Sequence, residues 1–108
     1  MTDQHPAALI GDELQRKLNL ETGQIRWPEL QRHFARGVVV VVASELDLIQ
    51  VAATVAQDHT TQIADWITTG LIHRAIDDDA RRWQDGTPSF WSCVVAPWVL
   101  VQEIAEPQ

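Results

Sequence analysis

Hydrophobic positions are densest between residues 37 and 56, GVVVVVASELDLIQVAATVA. Valine is stiff at its branched Cβ and suits a pleated strand. Val38 to Val42 run without polar alternation, which predicts a strand covered on both faces. Ser44 is placed to cap the helix that follows, with Asp47 three positions on resembling a capping box with a shorter acid. That helix carries Leu48, Ile49, Ala52, Ala53, Val55 and Ala56 against a polar stripe of Asp47, Gln50, Thr54 and Gln57. A strand hidden on both sides and a helix with so little polar surface belong at the centre of the molecule.

On the N-terminal side, Ile10, Leu14 and Leu18 fall four apart and predict a helix from Ala8 to about Leu20. Asp12 and Glu13 near its start and Arg16 and Lys17 near its end suit the helix dipole, and Asn19 or Gly23 can end it. A second helix opens around Pro28, with Trp27, Leu30 and Phe34 on one face and Gly37 as its stop. The two are expected to form a helical hairpin leading into the valine strand.

On the C-terminal side, Asp58 is expected to cap a helix from His59 to Thr69, with Ile63, Trp66 and Ile67 inward and Gly70 at its end. Leu71 to Ile76 reads as extended chain. Asp77 is expected to cap a short helix, Asp78 to Gln84, with Ala80 and Trp83 on one face and Gly86 as its stop. Asp85 to Pro88 is a turn. Ser89 to Val95 is β-like. Pro97 then marks an edge, a bulge or an element's end, and it could equally open a helical turn. The β-branched content of the following WVLVQEI favours a strand. The pattern predicts a flexible lead-in over residues 1–7 and a single α+β domain over 8–108, one helical layer packed on a small sheet of two to four strands.

Charge narrows the range of partners. The net charge is −7, and it is uneven: residues 1–36 balance five basic against five acidic side chains, whereas 37–108 carry three against ten. Affinity for nucleic acid comes from cations that neutralise phosphate, so an acidic domain disfavours nucleic acid, and anionic membranes for the same reason. The N-terminus lacks the basic-then-apolar pattern of a signal peptide, and the longest apolar run, Val38 to Ala43, is far short of a membrane span. The one cysteine, Cys93, fits a reducing compartment, so a cytoplasmic protein is expected.

Three stretches, WPELQRHFARGVVVVV (Trp27 to Val42), LDLIQVA (Leu46 to Ala52) and FWSCVVAPWVLVQE (Phe90 to Glu103), together resemble a bacterial family of uncharacterised proteins, domain of unknown function 2288. The resemblance spans roughly Leu20 to Glu103, and the tail is its most specific part. It implies a small cytoplasmic bacterial protein and carries over no activity, cofactor or catalytic residue.

Candidate chemistry is sparse. Asp77, Asp78 and Asp79 could offer carboxylates to a hard cation, and His73 or His59 a nitrogen to a softer one. The same triplet is what a helix N-terminus favours, and Asp77 with Arg81, and Asp78 or Asp79 with Arg82, fall at ion-pair spacings. Consecutive helical residues diverge by about 100°, so the three cannot converge unaided. His33, His59 and His73 share no metal-binding spacing. Cys93 sits in apolar FWSCVV with no second cysteine, as an inert buried thiol would. Ser44 and Ser92 lack a nucleophile elbow, and ASELD after the valine strand has no glycine with which to cradle phosphate. Arg26, Arg32 and Arg36 form the one basic cluster, read as a solvated face.

Five tryptophans in 108 residues are the best functional hint. Tryptophan supplies large contact area plus one donor and is enriched at interfaces. The expected function is a non-enzymatic protein-interaction module that self-associates as a homodimer, or binds another protein, through Trp91, Trp98, Val51 and Val55. The alternative is a small metal-binding protein or metal-dependent enzyme using Asp77, Asp78, His73 and His59. No cofactor is expected, and nothing in the sequence decides whether the chain is an enzyme.

Overall fold

The computed structural model describes residues 13–14, 16–18 and 22–104. The expected lead-in lies outside the described residues, as does most of the first predicted helix, of which Glu13, Leu14, Arg16, Lys17 and Leu18 are helical. In chain order the elements are β1 (Gly23–Arg26), α1 (Trp27–Ala35), β2 (Val39–Val42), α2 (Leu48–Ala56), α3 (Thr60–Thr68), β3 (Ile72–Arg74), α4 (Asp77–Gly86), β4 (Ser89–Val95) and β5 (Trp98–Glu103). The fold is α+β.

The five strands form one sheet in the order β1-β4-β5-β2-β3, larger than the two to four strands expected. β2 pairs parallel with β5, and the other three pairings are antiparallel. β1 is the strand the periodicity did not predict. GQIR is too short to alternate visibly, and its pairing with Ser89–Ser92 makes it an edge strand. It interrupts the helical hairpin expected there. At the other end, β4 and β5 form a hairpin in which Val95 faces Trp98 across Ala96 and Pro97, whose shared peptide is cis. The ambiguous tail is therefore a strand, with Pro97 in the turn where its missing N–H costs no ladder bond.

The valine run is covered on both faces, as its composition predicts. Side chains alternate across a strand, so Val39 and Val41 join one core and Val40 and Val42 the other. Trp27 and Leu30 from α1, Trp83 from α4, and Phe90, Val99 and Val101 from the sheet build the first. Leu48, Val51, Ala52 and Ala53 from α2, with Leu18, Ile72, Cys93 and Leu100, build the second. Helices therefore lie on both faces, where a single helical layer was expected. A strand buried on both sides requires two covers.

Three local assignments shift. Asp47, not Ser44, caps α2, its carboxylate accepting from the backbone N–H groups of Ile49 at 2.9 Å and Gln50 at 3.4 Å. The loop before it is tied down by Gln102, whose side-chain amide donates to the carbonyls of Ala43 and Leu46 at 2.8 and 2.7 Å. Asp58 takes a positive φ of 58° as the turn into α3 and does not cap it. Ile76 is the first flanking residue of α4, and Asp79, one turn in, reaches back to its N–H at 2.9 Å.

Candidate functional site

The second core does not close completely. α3 carries Ile63, Trp66 and Ile67, yet none of its residues is buried. Ile63 and Trp66 pack partly against the core, while Ile67, expected inward, is 56% exposed. Between this helix and the sheet lies a groove of about 360 Å³. Its helical wall carries Val55, Asp58, Ile63 and Ile67, and its sheet wall Val40, Ile72, Arg74, Val95 and Trp98. The lining is mostly apolar, with a few polar groups at its edges.

Arg74 is the groove's one arginine, and it is held in place twice. Its Nη2 donates to the Gly37 carbonyl at 2.7 Å, and its guanidinium carbon lies 5.5 Å from the Trp98 ring centroid. Gly37 permits this because it adopts φ +74° without strain, and because a Cβ there would come within 3.3 Å of the guanidinium. Neither Arg74 nor Asp58 forms an ion pair among the described residues.

The opposite face carries a denser polar array. Asp79, 5% exposed, meets His73 Nε2 at 3.1 Å and Arg82 Nη1 at 3.2 Å besides the Ile76 N–H. Arg82 and the Trp83 indole N–H each donate to Glu103 Oε2 at 3.0 Å. Burial pushes the Asp79 carboxyl up, but the Ile76 N–H, His73 and Arg82 outweigh it and hold its pKa below the ordinary 3.8. Glu103, then Asp79, hold Arg82 more firmly charged against the opposing effect of burial.

The expected metal ligands do not converge. Asp78 pairs with Arg81 at 2.6 Å rather than with Arg82, Asp77 is exposed, and His59 meets Gln57 at 3.2 Å in the α2–α3 turn. His73 is engaged by Asp79. Among the described residues no group of three or more His, Cys, Asp or Glu side chains could hold an ion. Cys93 is fully buried, its thiol 3.8 Å from the Leu18 carbonyl.

Of the expected interface residues, Trp98 and Val55 both line the groove. Val51 does not serve. It is 1% exposed inside its own core and has no surface for a second copy. Trp91 is 40% exposed on β4 and takes no part in the groove. Arg32 and Arg36 are exposed on and after α1, and Arg26 is exposed just before it.

A family model described as a protein of unknown function (DUF2288) matches residues 13–103. The chain belongs to that family. A solved relative, the NMR solution structure of PA1075 from Pseudomonas aeruginosa, is 39% identical, covers 98% of this chain and 93% of its own, and superposes with a TM-score of 0.76. No curated protein matches the chain. The DUF2288 match ends at Glu103, the residue that receives Arg82 and Trp83, so both the polar array and the groove lie within the matched region. Among the described residues no helix is long and apolar enough to cross a membrane.

Sequence reasoning missed Ile67 as an exposed residue and missed Arg74 altogether. A cationic residue beside a tryptophan is visible only once β3 and β5 are known to flank β2.

Proposed function

We propose that this DUF2288 protein is a non-enzymatic, cytoplasmic protein-interaction module that binds a second copy of itself through the groove face. What carries the reading is the state of α3, a helix with three large apolar side chains that buries none of its residues and leaves an apolar groove beneath it. Ile67 projects beside the groove it lines, so a knob and a hole stand next to each other on one face. A two-fold interface needs that arrangement, because each copy must offer what the other receives. The fully buried thiol and the acidic charge suit a cytoplasmic protein with no affinity for nucleic acid or anionic lipid. We prefer this reading to the metal alternative because Asp78 and His73 already meet Arg81 and Asp79, and among the described residues Asp77, Asp78, His73 and His59 form no cluster of ligands.

Light scattering at micromolar concentration tests the proposal. A mass twice the chain's 12.2 kDa is expected, and Ile67→Glu, which places a charge in the contact, is expected to return the single-chain mass. A unit mass for the unaltered protein overturns the reading.

A further inference from the structure

Resting on that self-association, we infer that the two copies are locked by reciprocal ion pairs, with Arg74 of each meeting Asp58 of the other. Two chains that each carry a net charge of −7 repel unless opposite charges face one another across the contact. The groove offers such a pair. Asp58 stands on the helical wall and Arg74 on the sheet wall, and neither has an ion-pair partner within its own chain among the described residues. A two-fold axis lying in the plane of contact and running along the groove sets each copy's sheet wall against its partner's helical wall, so both pairs form at once.

The cationic partner is also held before contact. The Gly37 carbonyl and the Trp98 ring hold Arg74, while the backbone of Asp58 belongs to a tight turn at φ 58°. Less side-chain entropy is then lost when the pair forms. The remaining guanidinium N–H groups of Arg74 form a planar fork suited to a carboxylate. The acid and the base also specify orientation, since copies turned in the wrong sense would set like charges together.

A charge-swap experiment tests the pairing. Asp58→Lys alone sets Lys against Arg74 twice, and Arg74→Asp alone sets Asp against Asp58 twice, so each variant is expected to be monomeric by native mass spectrometry. Mixed in equal amounts they restore both pairs, and a heterodimer is expected. An unfolded variant cannot give that result. If Arg74→Asp loses its circular dichroism signal, Asp58→Asn serves instead, with the dimer dissociation constant expected to rise roughly three- to tenfold and to lose most of its salt dependence. Dimeric single variants, a mixture that stays monomeric, or an Asp58→Asn dimer with unchanged salt dependence overturns the pairing and leaves self-association standing. A monomeric unaltered protein overturns both.

Discussion

The two faces of the sheet are covered to different depths. Under α1 and α4 the core is aromatic and polar-stitched. Trp27 packs on Phe34 and Trp83, and Trp83 on Phe90, at centroid separations of 5.0 to 5.8 Å. Both buried indoles have acceptors, Gln84 for Trp27 at 2.8 Å and Glu103 for Trp83. Under α2 and α3 the core is aliphatic. α2 seats Leu48, Val51, Ala52 and Ala53 fully, but α3 seats nothing, and among the described residues no side-chain hydrogen bond ties it to the sheet. Aromatic rings with satisfied N–H groups fix a helix in one place. A helix held by half-buried Ile63 and Trp66 has surface to spare. The first face is closed by both of its helices, and the second by α2 alone, with apolar surface left exposed along α3.

The largest expected effect comes from removing the hub of the aromatic face. Trp83 is fully buried, touches Trp27 and Phe90, and donates to Glu103. Trp83→Ala should cost about 3–5 kcal/mol in urea unfolding, enough to leave a domain of this size marginal. A loss below about 1.5 kcal/mol would mean that this face is no better packed than the other.

Asp79 is expected to come next. Asp79→Asn leaves His73 without a charged acceptor and Arg82 with Glu103 alone, and should cost about 1–3 kcal/mol near neutral pH. The dependence on acid has a definite sign. The folded pKa of Asp79 lies below its unfolded value, so its contribution is complete above about pH 4 and is lost as pH falls through the folded value. The unaltered protein should therefore lose stability on acidification below about pH 4, and Asp79→Asn should flatten that slope. Parallel acid-unfolding curves for the two proteins would remove Asp79 from the explanation.

Legibility in the sequence followed the range of the interaction. The valine strand, α1, α2 and β4 could be read because apolar periodicity is local. So could the Asp79–Arg82 pair, three residues apart on one helix. Glu103 is 21 positions from Arg82, and no local pattern joins them. β1 was invisible for a related reason, since four residues at a sheet edge become a strand through their partner. Ile67 was placed inward because Ile63, Trp66 and Ile67 share a helical arc. The arc is wider than the core beneath it, and helical spacing cannot say where a core ends. Five valines in a row already implied covers on both faces, and the single layer first expected was inconsistent with them.

The smallest effect is the one that most sharpens the contrast. Ile67 is 56% exposed, so Ile67→Ala should change the stability of the isolated chain by no more than about 0.5 kcal/mol. If the groove face binds a second copy, that near-silence must depend on concentration. Association stabilises the folded state by mass action, so the unaltered protein should melt at higher temperature as its concentration rises, while Ile67→Ala should show a weaker rise. Calorimetric scans spanning nanomolar to high micromolar protein, with fluorescence-detected melting at the dilute end, measure both slopes. Equal slopes would make Ile67 an incidental surface residue. A large loss at every concentration would instead make α3 as firmly seated as α4, and the difference between the two faces would disappear.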